Sequence, residues 1–211
     1  MWVAGIDEAG RGCICGALCV ASVIGDEREL AGFGAKDSKS LSEKQRESIY
    51  QKILDSQLEG KIGVYVAQIE ACEIDRYGLS WAMRSGLQNV LAGIAEFVCS
   101  RFFIEQNAML ECITLDGNTT FGAQMPESLA GVRLQTLVKA DVTMPAVSCA
   151  SIVAKVYKDR QMRDIDRLYP QYALAKNKGY GTLEHKRAIA KHGYCPHHRR
   201  SFKIFLQESL F

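Results

Sequence analysis

Two adjacent carboxylates, Asp7 and Glu8, stand between a short apolar run and a glycine-flanked arginine, Arg11, near the start of the chain. An ionised carboxylate withdrawn from water is costly unless a partner compensates its charge. Arg11 could pair with one of the two acids, whereas a divalent cation could hold both. Carboxylates are the ligands that hard cations such as Mg²⁺ and Mn²⁺ prefer. The flanking glycines allow a ligand to approach the backbone closely, because they carry no Cβ.

Asp116 and Asp141 share the sequence context of Asp7, because each lies at or just past the end of a predicted strand. Ligands of α/β sheets bind at such strand ends. Carboxylates gathered there repel one another, and their pKa values rise unless a cation neutralises them. Two divalent cations about 4 Å apart would do so and would catalyse phosphodiester displacement. Taken singly, each aspartate is more typical of a turn or a helix cap, but the shared context favours a metal site.

Glu8 presents a geometric difficulty, because neighbouring residues of a strand point to opposite faces of the sheet. For Asp7 and Glu8 to face one metal site, the strand must either bulge or end at this point. Gly10 and Gly12 follow immediately and favour such an interruption.

Composition bounds the class of protein. The 211 residues suffice for one sizeable domain with a small appendage, and 47% of them are hydrophobic, which supports a packed core. No apolar run reaches the roughly 18 residues of a membrane span, and no secretory leader is visible. The eight cysteines form no CxxC pair, so neither a zinc knuckle nor a disulfide framework is indicated. We therefore expect a reduced, cytoplasmic protein with no membrane partner, and a monomer, because no exposed apolar stripe is evident.

Charge is distributed unevenly along the chain. Residues 139–203 carry 14 Lys/Arg against 5 Asp/Glu, whereas the rest of the chain carries 12 against 19. A basic C-terminal third beside a carboxylate site indicates a bound polyanion such as nucleic acid. A set of solvated helix faces would explain the same charges equally well.

The elements that must position these residues follow from hydrophobic periodicity and capping signals. Strands are predicted over residues 2–8, 13–24, 62–66, 112–115 and 132–138, with the first two forming a hairpin. One helix is predicted after a capping box formed either by Ser42 with Gln45 or by Ser40 with Glu43. Further helices are predicted over 70–77 and 79–102, from Pro145 to before Pro170, and from Thr182 to Gly193. Residues 25–41 are predicted to form a polar loop. This order predicts an α/β fold with a mixed sheet flanked by helices and a helical C-terminal tail.

As a set, the motifs resemble those of the type 2 ribonucleases H, the ribonuclease HII family. The resemblance spans nearly the whole chain, and ordered blocks are far more specific together than singly. These blocks are residues 5–12, 36–41, 115–117, 139–141, 147–156 with 159–160, 178–182 with His185, and 198–202. Two positions depart from the pattern of many relatives: Gly181 stands in place of proline, and Cys149 in place of alanine.

The resemblance implies a ribonuclease H-like catalytic domain at residues 1–172 and a helical extension at 173–211 that contributes to substrate binding. The metal-site acids of the family fall on Asp7, Glu8, Asp116 and Asp141. These catalytic acids would hold two Mn²⁺ or Mg²⁺ ions. The implied enzyme cleaves the RNA strand of RNA–DNA hybrids and incises 5′ to single ribonucleotides embedded in duplex DNA. A two-metal-ion mechanism would leave 3′-hydroxyl and 5′-phosphate ends.

The resemblance also implies substrate contacts. The substrate-binding set is predicted to be Gly10, Arg11, Gly12, Lys36, Lys39, Ser148 and Tyr180. In the family, the glycine–arginine–glycine element reads the ribose 2′-hydroxyl through backbone groups, and the tyrosine stacks beside the ribonucleotide–deoxyribonucleotide junction. Considered without the resemblance, Tyr180 is more typical of a packed turn aromatic. Lys36 and Lys39 are compatible with either phosphate contacts or a solvated loop.

Three alternatives remain open. Another metal-dependent nuclease or polynucleotidyl transferase of the same fold would use similar acids at its strand ends. A non-catalytic hybrid-binding protein would bind the same duplexes without turnover. Cys195, His197 and His198 could form a zinc site, although a lone cluster of this kind is a weak signal.

Overall fold

The structure is a computed structural model that describes residues 1–35, 38, 40–102 and 110–204. Its five strands are β1 (Trp2–Ala9), β2 (Leu18–Asp26), β3 (Gly63–Ile69), β4 (Leu110–Asp116) and β5 (Arg133–Leu137). They form one sheet in the order β3-β2-β1-β4-β5. The pairs β1–β2 and β2–β3 are antiparallel, whereas β1–β4 and β4–β5 are parallel. The prediction of an α/β fold with a mixed sheet is confirmed.

The described helices are α1 (Glu27–Gly32), α2 (Glu43–Leu58), α3 (Ala71–Tyr77), α4 (Leu79–Phe102), α5 (Ala140–Thr143), α6 (Pro145–Leu168), α7 (Leu174–Asn177) and α8 (Leu183–His192). Short 3₁₀ turns occur at Glu127–Leu129 and Pro170–Tyr172. Among these helices, none combines the length and the apolar character that a membrane crossing requires.

The sheet is covered on both faces, and the alternation of β1 residues decides which helix each one meets. Ala4 and Ile6 belong to the apolar cluster that packs against α4. Val3 points the other way, into the cluster formed with α2 and α6. Because side chains alternate along a strand, Asp7 follows Val3 toward α6, and Glu8 follows Ile6 toward the opposite face.

Helix α6 lies unusually close to β1, and Gly5 makes this approach possible. A Cβ at Gly5 would lie 2.2 Å from both the carbonyl carbon of Ala146 and the nitrogen of Val147. No side chain could be accommodated at that separation, so glycine is required for the contact. As a result, the first turns of α6 lie directly beside Asp7.

The capping predictions are confirmed. Ser42 and Gln45 form the reciprocal capping box of α2, and the Thr182 side chain accepts a hydrogen bond from the His185 N–H at the start of α8. The predicted loop over 25–41 is wrong in its first part, because Asp26 caps the short helix α1.

The predicted start of the second strand at Cys13 is also wrong, since β2 begins at Leu18. The apolar residues 13–17 instead form hydrogen bonds with the C-terminal part of the chain. The N–H of Ile14 donates to the carbonyl oxygen of Gly179 at 2.8 Å, and that of Gly16 donates to that of His197 at 2.7 Å. Burial of this segment therefore comes from C-terminal packing rather than from a place in the sheet.

Residues beyond α6 pack onto this same connection between β1 and β2. A third apolar cluster joins Ile14 and Cys15 to Tyr172, Leu174 and Ile189 of the C-terminal region. Asp75 of α3 adds a polar contact, because its carboxylate accepts hydrogen bonds from the N–H groups of Arg200 and Ser201 at 2.9 Å. The C-terminal segment is thus bound to the segment that follows the first two acids.

Candidate active site

The four predicted acids line one cavity of about 390 Å³ at the end of the sheet. Its walls include Asp7, Glu8, Asp116 and Asp141, together with Gly10, Arg11, Gly12 and Tyr180. Residues from widely separated parts of the chain are therefore brought together as the strand-end pattern predicted.

Asp7 and Glu8 reach this cavity without a bulge between them. The pairing of β1 with β4 ends at Ile6, whereas its pairing with β2 continues regularly through Ala9. Beyond Ile6, one edge of β1 is consequently free of a neighbouring strand. The side chain of Asp7 hydrogen-bonds Ser151 of α6 on one face, and Glu8 lies on the other. The expectation that the strand must bulge or end here is wrong, because β1 continues regularly to Ala9. The end of its pairing with β4 at Ile6 lets both acids border the same space.

Asp116 and Asp141 are positioned by the turn that leads into α5. Lys139 adopts a left-handed conformation with φ of 61°, which directs the N–H of Ala140 to the Oδ1 atom of Asp116 at 2.8 Å. Asp141 follows in the first turn of α5 and is buried. The hydroxyl of Ser148 donates to the carbonyl oxygen of Asp141 at 2.7 Å. The backbone around both acids is therefore fixed by hydrogen bonds.

The acids at the centre of the cavity are poorly compensated. Burial is the main cause that raises the pKa of Asp7 to about 7, and the neighbouring charges of Glu8 and Asp116 raise it further. Burial also raises the pKa of Glu8, although the Arg11 guanidinium opposes this effect from 3.6 Å. A desolvated carboxylate beside like charges favours its neutral form. The site therefore gains stability from any added positive charge.

The chemistry of these donors fits divalent cations. Four carboxylates share a cavity in which the Arg11 guanidinium supplies one opposing charge, and oxygen-only donors suit Mg²⁺ and Mn²⁺. The carboxylates line the cavity from three elements, β1, β4 and α5. Among the described residues, one group of three or more Cys, His, Asp or Glu side chains has all its ligand atoms within 4.8 Å of one another. That group lies outside this cavity.

The segment that follows Glu8 forms a tight turn at the mouth of the cavity. The N–H of Cys13 donates to the carbonyl oxygen of Gly10 at 3.2 Å, which closes a four-residue turn with Arg11 and Gly12 at its centre. The Arg11 guanidinium lies over the Phe121 ring at 5.1 Å from its centroid. Arg11 and Gly12 are both exposed, so their backbone groups border the space that a ligand would occupy.

Tyr180 forms another wall of the cavity, and 49% of it is exposed. Its backbone is held on both sides, since its N–H donates to the Asn177 carbonyl oxygen at 3.0 Å and its own carbonyl oxygen accepts from Thr182. The ring thus extends toward solvent from a fixed backbone. Tyr180 is therefore not the fully packed turn aromatic considered from the sequence, and its stacking on substrate stays a prediction.

Ser148 does not belong to the cavity wall. Its side chain is 2% exposed, and its hydroxyl donates to the carbonyl oxygens of Asp141 and Met144. The described contacts of Ser148 therefore hold α5 and Asp141 in place, and its contact with substrate stays a prediction. Lys36 and Lys39 lie outside the described residues.

Sequence reasoning missed three polar residues of the cavity wall, Ser38, Ser151 and Lys155. Ser151 and Lys155 follow Ser148 at intervals of three and four residues, so all three lie on one face of α6. That spacing was the available signal. The hydroxyls of Ser38 and Ser151 lie 2.9 Å apart, and the Lys155 ammonium lies 2.7 Å from the Asp159 carboxylate.

The cysteine and histidine cluster has a different composition from the predicted one. Its members are Cys15, Cys195 and His198, whose ligand atoms lie within 4.8 Å of one another, whereas the His197 ring packs against Tyr169. The Nδ1 atom of His198 accepts a hydrogen bond from the N–H of Cys195 at 2.9 Å. Its Nε2 atom lies 3.0 Å from the Nε2 atom of His185. Both ring nitrogens are engaged, which disfavours the zinc alternative.

One set of tautomers satisfies this histidine pair. Because Nδ1 of His198 is an acceptor, its Nε2 carries the proton and donates to His185. His185 then carries its proton on Nδ1 and donates to the carbonyl oxygen of Tyr180 at 2.9 Å. Burial lowers the pKa of His185, which agrees with the neutral form. A continuous chain of hydrogen bonds therefore runs from Cys195 to the backbone of Tyr180.

Comparison with known proteins gives a consistent result. The sequence model of a family described as ribonuclease HII matches residues 4–205. The chain is 38% identical to a ribonuclease HII of Helicobacter pylori (strain G27), over 96% of this chain and 91% of that protein. It is 39% identical to a ribonuclease HII of Sulfurovum sp. (strain NBC37-1), over 95% and 90% respectively. Among solved structures, it resembles the ribonuclease HII of Archaeoglobus fulgidus in complex with PCNA, with a TM-score of 0.67, 26% identity and 98% coverage of both chains.

Proposed function

Because the chain belongs to the ribonuclease HII family, and is therefore a nuclease with ribonuclease H activity, we propose that it acts on two kinds of duplex. It cleaves the RNA strand of RNA–DNA hybrids, and it incises 5′ to single ribonucleotides embedded in duplex DNA. Both reactions leave 3′-hydroxyl and 5′-phosphate ends. One observation carries the proposal: four carboxylates, a glycine–arginine–glycine turn with Arg11 and Gly12 exposed, and the exposed Tyr180 line the same cavity.

The proposed cofactors are two divalent cations, Mn²⁺ or Mg²⁺, held by the catalytic acids Asp7, Glu8, Asp116 and Asp141. When bound, they would supply Lewis acidity for the attacking water and for the departing 3′-oxygen. The raised pKa of Asp7 supports this proposal, because it reports a carboxylate without adequate positive charge nearby.

The protein contributes position and charge to this chemistry. Ser151 orients the carboxylate of Asp7, and the N–H of Ala140 orients that of Asp116. Lys155 borders the cavity, and its ammonium contacts the Asp159 carboxylate. Lys155 can therefore offer positive charge to a phosphate while it keeps its contact with Asp159. Lys36 and Lys39 remain proposed phosphate contacts.

Recognition requires a ribose beside the acids and a deoxyribose beyond it. Backbone groups of Gly10, Arg11 and Gly12 are proposed to meet the 2′-hydroxyl, which is the group that distinguishes RNA from DNA. The Tyr180 ring is proposed to stack beside the junction between the two sugars. Residues 173–211 then act as an extension of the catalytic domain, since they supply this ring.

Affinity for the duplex is proposed to come from the basic C-terminal third, residues 139–203. Contacts between lysine or arginine and phosphates release counterions, so binding should weaken steeply as salt concentration rises. The protein is proposed to act as a monomer. The proposed place of action is the cytoplasm.

A cleavage assay with matched duplexes tests this proposal. Three labelled duplexes of equal length are compared: all-DNA, DNA with one ribonucleotide, and an RNA–DNA hybrid. We expect incision 5′ to the single ribonucleotide and internal cleavage of the hybrid, with the all-DNA duplex left intact. Equal cutting of the all-DNA duplex would instead indicate another nuclease of this fold. Tight binding without turnover in Mg²⁺ or Mn²⁺ would indicate a non-catalytic binding protein.

Direct cation binding can be measured without turnover. Addition of Mg²⁺ or Mn²⁺ should raise the melting temperature of the wild-type protein, because ligands that bind the folded state stabilise it. The increase should be much smaller in Asp7→Asn. An equal increase in both proteins would remove Asp7 from the proposed cation site.

A further inference from the structure

Two buried, positively charged side chains, those of Lys158 and Arg199, lie directly beneath the turn formed by residues 10–13. Arg199 is 0% exposed and Lys158 is 1% exposed. Among the described residues, neither has a carboxylate within ion-pair distance. Burying a charge in this way is costly unless polar groups surround it. Burial accordingly lowers the pKa of both side chains.

Backbone carbonyls are the groups that surround these two cations. The Lys158 ammonium donates to the carbonyl oxygens of Cys15 at 3.1 Å and Ala17 at 2.9 Å. The Arg199 guanidinium donates to those of Gly16 and Arg11, both at 3.0 Å. All four acceptors belong to the connection between β1 and β2. Lys158 and Arg199 therefore both donate hydrogen bonds to one short backbone segment, residues 11–17.

The contact with Arg11 is the informative one, because it falls on the central peptide of the turn. In a four-residue turn, the closing hydrogen bond uses the first carbonyl and the last N–H, so the middle peptide is not held by it. That peptide can rotate by about half a turn, which is the difference between turn types I and II. Gly12 lacks a side chain and would tolerate either orientation. Something outside the turn must select one of them.

Arg199 makes that selection. A hydrogen bond from its guanidinium fixes the carbonyl of Arg11 toward the protein interior. No peptide bond of the described chain is cis, so the N–H of Gly12 points in the opposite direction from this carbonyl. Gly12 is exposed and lines the cavity, and a Cβ placed on it would meet nothing within 4 Å. Within the described residues, we find no protein acceptor for this N–H.

We infer that Arg199 is a positioning residue for sugar recognition: it holds the Arg11–Gly12 peptide so that the Gly12 N–H is presented to the ribose 2′-oxygen of the substrate. This inference rests on the proposed function and extends it to a buried side chain outside the cavity. The positive charge on the carbonyl side also polarises the peptide, which strengthens its N–H as a donor. A donor fixed before the substrate arrives loses less freedom on binding.

The test compares the affinities for two duplexes that differ by one 2′-hydroxyl. Both are measured by fluorescence anisotropy in an Asp116→Asn background, so that cleavage does not interfere. The quantity of interest is the ratio of the dissociation constant of the all-DNA duplex to that of the duplex with one ribonucleotide. Arg199→Lys keeps the buried charge but loses the planar fork that reaches Gly16 and Arg11 together.

In Arg199→Lys, we expect the ratio to fall by roughly 3- to 10-fold, as for loss of one hydrogen bond, with the affinity for all-DNA unchanged. The matched control is Arg200→Lys, since Arg200 is the exposed neighbour of Arg199 and its described contacts are with Asp75 and Tyr194. The control should leave the ratio unchanged. A folded Arg199→Lys protein with an unchanged ratio would overturn the inference, because a purely structural role predicts that result.

A second variant removes the donor itself. Replacing the Arg11–Gly12 amide by an ester exchanges the N–H of Gly12 for oxygen. Because Cys13 follows Gly12, a synthetic peptide of residues 1–12 can be joined by native chemical ligation to a chain that begins at Cys13. The ratio should fall here too, relative to an all-amide ligated control, and an unchanged ratio would overturn the inference. If Arg199→Lys does not fold, the ester variant still tests the Gly12 N–H, which is the donor that the inference requires.

Failure of the proposed function gives a separate outcome. If the background protein with Arg199 intact binds both duplexes equally, it does not read the ribose at all. That result would contradict the proposed function before any variant is considered.

Discussion

The acid cluster (Asp7, Glu8, Asp116 and Asp141) and the recognition turn (residues 10–13) border the same cavity, but the two regions treat their charges in opposite ways. At Asp7, burial and adjacent carboxylates raise the pKa to about 7, so the folded protein holds this charge at a disadvantage. At the turn, the buried cations Lys158 and Arg199 are surrounded by backbone carbonyl oxygens. One region is left in need of a partner, whereas the other receives its hydrogen-bond partners from the protein, apart from the buried Nη2 atom of Arg199, which has none among the described residues.

The difference reflects what each region must do. A carboxylate cluster satisfied by arginines would have little affinity for divalent cations, because the ion pairs would have to be broken first. A recognition turn left unsatisfied would sample several orientations and would discriminate poorly between two sugars. Instability is therefore concentrated where a cation is proposed to bind, and rigidity where a sugar is proposed to be read.

The largest expected effect is loss of catalysis in Asp7→Asn. This change removes one anionic ligand from the proposed cation site and should lower the cleavage rate of the single-ribonucleotide duplex by at least about 10²- to 10³-fold. Its affinity for that duplex should change little, because the turn and Tyr180 remain. Asp164→Asn, at an exposed position of α6, is the control and should cleave normally. Near-normal cleavage by Asp7→Asn would remove the contrast between the two regions.

The same substitution should stabilise the protein when chelator is present. The ordinary pKa of an aspartate, 3.8, is raised to about 7 at Asp7, so the folded state binds the proton more tightly than the unfolded state does. Stability should consequently fall as pH rises from about 4 to 7. Urea unfolding at pH 8 should show Asp7→Asn to be more stable by about 2–4 kcal/mol.

Below about pH 4, Asp7 is protonated in both the folded and the unfolded state. The difference in stability between Asp7→Asn and the wild type should therefore disappear there. Asp164→Asn should show no comparable dependence on pH. If Asp7→Asn is less stable than the wild type at pH 8, the acid cluster is not a source of instability. The acid cluster and the recognition turn would then not differ in the way described.

A smaller effect is expected at Tyr180. Loss of its exposed ring in Tyr180→Ala should weaken binding of the single-ribonucleotide duplex by about 10-fold, since stacking of one base on an aromatic ring contributes roughly 1–3 kcal/mol. Tyr180→Phe keeps the ring and should bind within about twofold of the wild type, because stacking does not need the hydroxyl. Equal losses in both variants would point to the hydroxyl group instead.

The smallest expected effect concerns the histidine pair behind Tyr180. Burial lowers the pKa of His185 below its usual 6.5, so protons bind the unfolded state more tightly. The contribution of neutral His185 to the free energy of unfolding is fully present above pH 6.5 and is lost as pH falls below 6.5. His185→Gln cannot gain this charge. The groups that face His185 are His198 and Tyr172, with Cys195 beyond them.

Urea unfolding of the wild type and His185→Gln over a pH series measures this effect. The wild type should be more stable by about 1 kcal/mol near pH 7.5, the contribution of one hydrogen bond, and this advantage should shrink below pH 6.5. The contribution of Asp7 has the opposite sign in this window, but it is common to both proteins and cancels in the difference. A difference that does not vary with pH would show that His185 does not titrate.

Local signals in the sequence predicted most of the scaffold and the acids. Hydrophobic alternation and caps such as Ser42 and Thr182 depend on residues a few positions apart, so α2 and α8 were predicted correctly. Asp116 and Asp141 were predicted because each follows a recognisable strand. The segment 13–17 was misassigned because its burial arises from partners far along the chain, which leave no local pattern.

The residues that hold the recognition turn were beyond sequence reasoning for the same reason. Lys158 lies 143 positions from Cys15, and Arg199 lies 188 positions from Arg11. Lysine and arginine are almost never fully buried without a partner, so their types alone indicate exposed phosphate contacts. Only the folded chain shows that both point inward, toward carbonyl oxygens.

The bond between Arg199 and Arg11 also sets an order of events during synthesis. A chain leaves the ribosome from its N-terminus at about 5–20 residues per second, so all four acids emerge well before residue 199. A nascent or prematurely ended chain can therefore contain every proposed cation ligand while its turn still lacks the side chain that orients it. Selectivity for ribose would be the last property the protein acquires, and a truncated product would be the form to examine for indiscriminate cutting.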